Sequence, residues 1–188
     1  MLDQKEFTEL SSKSNDNQIP DVTFWYLKDK NGDVERGLSE KEFAPKLTKI
    51  GSCNSLPQFW AIYQHIRKTS DCKGCDFQIF KKGIMPMWED PHNKEGGKFS
   101  VLLVKEVSSI VWEEVVFSFC GGVIPHYDEI NGIAISTRKK FYTLQIWFKD
   151  YERRKVDEMR KNLKLFFQIP FKVNMEVIIF SKKNYCKN

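Results

Sequence analysis

Trp88 and Glu89 stand side by side in the chain, and together they could bind a charged ring. The face of an indole attracts a cation through its quadrupole. A carboxylate accepts paired, charge-assisted hydrogen bonds from N–H groups. The pair therefore suits a flat cationic ring with N–H donors along one edge, and a 7-methylguanine base is such a ligand. Taken alone, the same two residues also fit a core tryptophan beside a surface charge.

Residues that could carry out catalysis do not form a known arrangement in this sequence. It has no nucleophile elbow and no Ser/His/Asp set, and Gly96-Gly97 lacks the Lys-Ser/Thr of a phosphate-binding loop. A decapping hydrolase would need a cluster of metal-binding carboxylates, and Glu113-Glu114 alone is too little. We therefore predict that the protein is not an enzyme.

The cysteines and histidines do not predict a metal site. The chain contains Cys53, Cys72, Cys75, Cys120 and Cys186 together with His65, His92 and His126. Cys72 and Cys75 form a lone C-x-x-C with no second pair at metal spacing, so we expect no zinc and no cofactor. Reduced thiols fit an intracellular protein. No apolar leader or membrane-length apolar run is found, so we expect a cytoplasmic protein, with the nucleus open as an additional location.

Length and charge predict one domain with a localised basic region. A flexible polar arm is predicted over residues 1–20 and a single domain over 21–188. Residues 138–188 hold 14 Lys and Arg against 5 Asp and Glu, a net charge of +9, whereas the preceding residues carry −4. Such a region suits an anionic partner such as phosphate or RNA, although a solvated basic helix gives the same pattern.

Residue periodicity predicts strands that alternate with single helices. A helix capped by Asn54 or Ser55 with Pro57 in its first turn is predicted, and the stretch 34–50 is predicted as a loop. Two further helices are predicted over 108–120 and from about 150 to before Pro170. Strands are predicted over 22–27, 77–82, 99–104, 132–138, 142–148 and 173–180. Hairpin-length connections between them favour an α+β fold, in which an antiparallel sheet is backed by helices.

Several stretches match one known family in the same order. They are LPQFWAIYQHI at 56–66, GCDF at 74–77, GIMPMWED at 83–90, NKEGGK at 93–98, WEE at 112–114, GIA at 132–134 with Arg138, and IW at 146–147. These stretches resemble eukaryotic translation initiation factor 4E, the family that binds the mRNA cap. The resemblance covers about residues 22–180. It implies a curved antiparallel sheet of about eight strands with three long helices on its convex face.

The resemblance implies a cap-base site in which two aromatic rings enclose the 7-methylguanine. Trp88 and Glu89 match the second ring and the glutamate that binds the base edge, and Trp147 matches the tryptophan beside the methyl group. Ungapped counting back from the Phe-Trp pair at 59–60 puts the first ring at Phe43, where most members carry Trp. Phe offers a smaller and less electron-rich face, so a weaker cation–π attraction is expected.

The resemblance also implies a phosphate-binding site beside the base site. Arg138 matches the family's phosphate-binding arginine. The family's downstream lysine falls on Thr143, which removes one charge. Lys139 and Lys140 lie in the turn between these positions and could reach the same phosphates.

A second surface is implied on the helical side of the sheet. Trp60 matches the residue that receives a short helix from a scaffold initiation factor of the 4G type or from a 4E-binding repressor, with Leu56 and Phe117 as neighbours. Glu113 replaces an apolar residue of the family. Capped mRNA and such a scaffold are therefore the expected partners of a monomer that binds no membrane. Two alternatives stay open, a cap-binding repressor that does not engage the scaffold and an interaction module that has lost cap affinity.

Overall fold

The fold is an antiparallel sheet with three helices packed on one side. A computed structural model describes residues 17–28, 44–72, 74–138, 141–169 and 173–180. Within these ranges seven strands form one sheet in the order β2-β1-β3-β5-β6-β4-β7, and every neighbouring pair is antiparallel. The strands are β1 Gln18–Lys28, β2 Leu47–Ser55, β3 Cys75–Lys81, β4 Gly97–Leu103, β5 Ile130–Thr137, β6 Tyr142–Phe148 and β7 Met175–Ile179. The helices are α1 Leu56–Tyr63, α2 Lys105–Cys120 and α3 Arg153–Phe166. The predicted α+β class is confirmed.

Side-chain alternation along the strands gives the sheet two different faces. On the side that we call the helix face, apolar residues pack against the buried sides of the helices in one continuous core. Phe24, Ile79, Ile133, Leu144 and Val101 are strand members of that core. On the opposite side, which we call the open face, the alternate positions carry polar and aromatic residues. They include Asp76, Gln78, Phe80, Arg138, Thr143, Gln145, Trp147, Lys98 and Leu102.

Three predicted features differ from the structure, and they lie at the edge strand β2 and at the neighbouring β1. The predicted loop over 34–50 was wrong from Leu47 onward, because β2 begins there, and Asn54 lies in β2, so Ser55 alone is the N-cap of α1. The predicted arm was too long, because β1 begins at Gln18 and Leu56 N donates to Asn17 O at 2.8 Å. An edge strand pairs on one side only and needs few buried side chains, so β2 shows no apolar alternation.

The other differences are small. Helix α2 begins at Lys105, three residues before the predicted start, and α3 begins at Arg153 rather than near Asp150. Helix ends commonly shift by a residue or two because the terminal turns have unpaired backbone groups. No helix in the described ranges is long and apolar enough to cross a membrane.

Gly132 allows the open face to be built around an aromatic contact. It lies opposite Phe80 in the β3–β5 register, and a Cβ at Gly132 would lie 2.4–2.6 Å from three atoms of the Phe80 ring. The missing side chain therefore lets the ring lie across β5. From there Phe80 meets Trp147 edge-on, with ring centroids 5.3 Å apart.

Candidate ligand-binding site

An aromatic cluster occupies one end of the open face, where β3 ends and β4 begins. Phe80, Ile84, Trp147 and Phe180 are buried there, and Trp88 packs against them while remaining half-buried. The Trp147 and Phe180 ring centroids are 4.7 Å apart. Trp88 and Trp147, two of the predicted base-site residues, therefore belong to one cluster. Trp147 is buried in this cluster, whereas Trp88 keeps part of its surface accessible. The cluster can therefore hold the partly exposed indole of Trp88 in a defined position.

The connection between β3 and β4 presents Trp88 and Glu89, and the Asp90 carboxylate holds its backbone. Asp90 Oδ2 accepts from Met85 N at 2.8 Å, and Oδ1 accepts from His92 N at 2.8 Å. The His92 ring lies 2.9 Å from the same oxygen through Nδ1. One carboxylate therefore fixes both sides of the Trp88-Glu89 segment, and Glu89 is half-buried between them.

Two buried asparagines attach this connection to the sheet. Asn93 has no exposed surface, and its Nδ2 donates to Met85 O and Met87 O at 2.9 Å each. Asn131, which lies in β5, donates through its own Nδ2 to His92 O at 2.7 Å and to Asn93 Oδ1 at 2.9 Å. We call Asp90, Asn93 and Asn131 the loop network. It links the residues around Trp88 to a central strand.

Hydrogen bonding keeps Asp90 ionised. Burial alone raises the pKa of this carboxyl group, but bonds from the Met85 and His92 backbone N–H groups and from the His92 ring outweigh that effect. The net pKa is lowered from the ordinary value of 3.8. The hydrogen bonds of the connection therefore favour the charged form of the Asp90 carboxyl group.

Lys98 and Gln145 lie next to the aromatic cluster. Lys98 Nζ is 5.2 Å from the centroid of the Trp147 ring and donates to Gln145 Oε1 at 2.9 Å. The same oxygen accepts from Trp147 Nε1 at 3.2 Å. Gln145 thus orients the indole and holds an ammonium group beside it. Sequence reasoning missed both residues, although Lys98 directly follows the matched Gly-Gly pair.

Arg138 lies farther along the open face and is paired with Asp76. Nη1 lies 2.8 Å from Asp76 Oδ1 and Nη2 lies 3.4 Å from Oδ2, so the guanidinium faces the carboxylate with both nitrogens. Nη1 also donates to Thr137 O at 3.0 Å. The Arg138 side chain keeps 28% of its surface exposed, against 10% for Asp76. The cation therefore remains accessible, but its charge is already compensated. Asp76 was not predicted as part of the site.

Three predicted site residues cannot be placed, because Phe43, Lys139 and Lys140 lie outside the described residues. Their roles stay predictions. Thr143 is half-buried on β6, opposite Leu102 of β4 on one side and Ser136 of β5 on the other. It puts an uncharged side chain at that point of the open face.

The helix face carries a separate exposed aromatic surface. Trp60 is 50% exposed, so it is not the core residue that an amphipathic helix alone would allow. Its ring centroid lies 5.8 Å from that of Phe117, and Leu56 precedes it by one helical turn. Tyr63 completes the surface, with its ring centroid 5.5 Å from that of Phe117.

Glu113 adds a carboxylate to this surface. It lies one turn before Phe117 on α2, and its Oε1 accepts from Tyr63 Oη at 3.4 Å. Burial, and then the nearby Glu113 charge, raise the pKa of Tyr63 above its ordinary value of 10.0. Tyr63 therefore stays a hydrogen-bond donor and holds the carboxylate beside the aromatic rings.

The four cysteines in the described ranges lie apart from the open-face cluster. Cys53, Cys72, Cys75 and Cys120 are buried and are not joined in disulfides. Burial, and then neighbouring Cys75, raise the pKa of Cys72 to about 11, which disfavours its reactive thiolate. Among the residues with described positions, no group of three or more His, Cys, Asp or Glu could hold a metal ion.

Comparison with known sequences gives one family match over most of the chain. The model of the family described as eukaryotic initiation factor 4E matches residues 21–188. Translation initiation factor 4E1 of Drosophila melanogaster is 34% identical over 132 residues, which are 68% of this chain and 48% of that protein. Factor 4E-4 of Caenorhabditis elegans is 29% identical over 160 residues, which are 84% of this chain and 74% of that protein. The chain thus spans about half to three quarters of these relatives.

Solved structures show the same fold. The complex of Caenorhabditis elegans eIF4E-3 with the 4E-binding protein Mextli and a cap analogue has a TM-score of 0.76 at 24% identity, and covers 90% of this chain and 95% of that one. The complex of Ascaris suum eIF4E-3 with the m7G cap has a TM-score of 0.73 at 25% identity, and covers 87% and 90%.

The loop network yields a stability prediction. Asp90→Asn replaces one acceptor oxygen by a donor that faces a backbone N–H group, so we expect a loss of about 1–3 kcal/mol in the free energy of unfolding at pH 7. Urea unfolding followed by circular dichroism measures it. Asp157→Asn is the control, because Asp157 forms an exposed ion pair with Arg160 on α3.

The pH dependence of that difference gives a second check. A lowered native pKa means that the Asp90 contribution is complete above its ordinary value of 3.8 and is lost as the pH falls through the lowered value. The gap between wild type and Asp90→Asn should therefore narrow below about pH 4. A gap that is constant down to pH 2, or absent at pH 7, contradicts the role assigned to the carboxylate.

Proposed function

Because the chain belongs to the eukaryotic initiation factor 4E family, we propose that its open face binds the 7-methylguanosine cap of mRNA. The observation that carries this proposal is the aromatic cluster, in which Trp88 keeps an accessible indole beside Trp147 and next to Glu89. The caps present in solved complexes of nematode eIF4E-3 proteins support it. The protein acts in this proposal by binding and not by catalysis.

The base is proposed to stack on Trp88 and to present its N–H edge to Glu89. Methylation makes the ring cationic, so both the indole quadrupole and the carboxylate favour the methylated base over guanine. Phe43 is proposed as the second stacking ring and Trp147 as the wall that the methyl group meets. The loop network matters here because stacking needs both Trp88 and Glu89 held in register with the sheet.

The phosphates are proposed to run from the base site along the open face past Lys98 to Arg138. Lys98 and Gln145 start this path beside Trp147, and Arg138 ends it. Lys139 and Lys140 are proposed to compensate for the charge that is missing at Thr143. Asp76 holds the Arg138 fork in one orientation, which reduces the entropy lost when a phosphate binds.

The base site is tested by removing each recognition group. We expect Trp88→Ala and Glu89→Gln each to weaken binding of 7-methyl-GTP about tenfold or more, because stacking and charge-assisted hydrogen bonds are each worth ~1–3 kcal/mol. Wild type should bind unmethylated GTP more weakly than 7-methyl-GTP. Isothermal titration calorimetry measures these affinities.

Two exposed residues away from this site provide controls. Tyr151→Ala removes an exposed aromatic ring and Glu114→Gln removes an exposed charge on α2. Both should keep wild-type affinity. If Trp88→Ala and Glu89→Gln stay within about twofold of wild type, the base site lies elsewhere.

The phosphate path is tested with caps that carry one, two and three phosphates. Arg138→Ala should reduce the affinity gained with each added phosphate and flatten the dependence of affinity on salt, since fewer counterions are released. Arg160→Ala is the matched control, because Arg160 is an arginine in an exposed ion pair on α3. An Arg138→Ala protein with the wild-type gain and salt slope would exclude Arg138 from the path.

The aromatic surface on the helix face is proposed to take a short amphipathic helix from a scaffold initiation factor or from a repressor. The exposed Trp60 is the anchor, and Leu56 and Phe117 flank it. The Glu113 carboxylate at its side favours a peptide with a polar or basic residue opposite it. The repressor alternative rests on this residue, because a scaffold helix that presents an apolar group would leave the carboxylate without compensation.

A pull-down separates these partners. Wild type and Trp60→Ala are loaded on cap resin and incubated with cell extract; we expect the mutant to lose a binding protein, at a cost of about 2 kcal/mol or more. Loss of a large scaffold indicates an initiation factor, and loss of only a small binder indicates the repressor. Leu165→Ala, an exposed leucine on α3, is the control. Identical proteins bound to wild type and Trp60→Ala would contradict the partner site.

A further inference from the structure

Phe141 and Leu102 are exposed apolar residues at the end of the open face opposite the aromatic cluster. Phe141 is 50% exposed and Leu102 is 64% exposed. Leu102 pairs with Thr143 in the β4–β6 register, and Phe141 lies two residues before Thr143 on the same face. Diagonal neighbours of this kind are about 7–8 Å apart, within reach of an aromatic ring. The two side chains therefore form one apolar surface, which we call the far platform.

Arg138 lies at the edge of the far platform. Thr137 pairs with Tyr142 in the β5–β6 register, so Arg138 and Phe141 are the next two positions outward and their side chains leave on the open face. The bidentate contact with Asp76 holds the Arg138 guanidinium toward β3, on the side of β5 away from β6. The guanidinium therefore does not cover the Phe141 ring, which stays accessible on the β6 side of Arg138.

The strand beneath Phe141 is held firmly. Tyr142 is buried on the helix face, and its hydroxyl donates to Cys72 O at 3.3 Å. Because successive residues of a strand alternate between faces, the buried Tyr142 places the Phe141 side chain on the open face. An exposed ring on such a support loses little conformational freedom when a ligand stacks on it.

The far platform lies at the end of the proposed phosphate path. Phe141 lies six positions before Trp147, which is about 20 Å along the strand direction. Gln145 and Thr143 lie between them on the same face, with Lys98 beside Gln145 and Ser136 of β5 opposite Thr143. Arg138 is the next open-face position of β5 after Ser136. In a capped RNA, the phosphate bridge joins the cap base to the first nucleoside. If the cap base lies at Trp88 and the phosphates follow this path, the first nucleoside reaches Phe141.

We propose that the far platform binds the first nucleoside after the cap, with its base stacked on Phe141 and its edge against Leu102. This inference rests on the proposed cap binding and specifies a second base site for the same ligand. Stacking on exposed aromatic rings is one way in which single-stranded nucleic acids are held without base selectivity. The platform therefore adds affinity for any first base, and most for the purines, which have the larger stacking surface.

The test compares 7-methyl-GTP with the dinucleotide cap 7-methyl-GpppA, measured by isothermal titration calorimetry. A third ligand, 7-methyl-Gppp-ribose, has the phosphate charge of the dinucleotide but no adenine, and wild type should bind the dinucleotide more tightly than this ligand. Phe141→Ala should remove this gain, with a loss of at least about fivefold for the dinucleotide, and should keep 7-methyl-GTP affinity within about twofold. Phe141→Trp should retain the gain, because it keeps a stacking ring, whereas Phe141→Leu should lose most of it. Phe166→Ala, which removes another exposed phenylalanine on α3, is the control.

The outcomes distinguish this inference from the cap site itself. If wild type binds neither cap, the proposed function fails; the platform is then judged with the uncapped dinucleotide pppApG, whose affinity Phe141→Ala should lower and Phe166→Ala should not. Full retention of the dinucleotide gain in Phe141→Ala overturns the inference. Equal losses for both caps overturn it too, since Phe141 would then act on the base or phosphate site. Circular dichroism of each variant verifies that the fold is intact.

Discussion

The buried contact between Asn131 and Asn93 is the interaction on which the open face depends. The chain leaves β3 and returns as β4, and in the sheet these strands are separated by β5 and β6. The connection therefore crosses the ends of two strands without a ladder of its own. Buried backbone groups must find partners, and side-chain amides provide them here. Asn131 of β5 donates a hydrogen bond to Asn93 in the connection. Asn93 in turn donates to the carbonyl oxygens of Met85 and Met87, which precede Trp88.

The sheet keeps two surfaces apart by strict alternation. Tyr142 and Leu144 point into the helix-face core, while Thr143 and Gln145 between them point to the open face. The aromatic surface of α1 and α2 and the cluster around Trp147 are therefore separated by the thickness of the sheet and share no side chain. Substitutions on the two surfaces should add independently. A substitution that abolishes ligand binding on one face therefore need not affect binding on the other face.

Local sequence predicts those parts of the fold whose signal lies in a single segment. The end of α2 at Cys120, before Gly121-Gly122, and the strand Tyr142–Phe148 fall at the predicted residues. The strand β2 was missed because an edge strand has little to bury. Contiguous motifs predicted Trp88, Glu89 and Trp147 as site residues, and Trp88 and Trp147 do lie in one cluster. Asp76 and Asn131 could not, because their partners Arg138 and Asn93 lie 62 and 38 residues away and only the register of the sheet brings them together.

The ion pair between Asp76 and Arg138 weakens the long-range electrostatic attraction of the open face for anions. A bare arginine projects a field that attracts any polyanion, whereas a compensated one contributes mainly a short-range dipole. A phosphate must come close and displace part of the carboxylate interaction before it gains from the guanidinium. Polyanions that merely pass by are drawn in weakly, and a phosphate delivered by a group already seated nearby has the advantage. In the proposed phosphate path, the pair would therefore favour a phosphate that is already held nearby over a polyanion that only passes by.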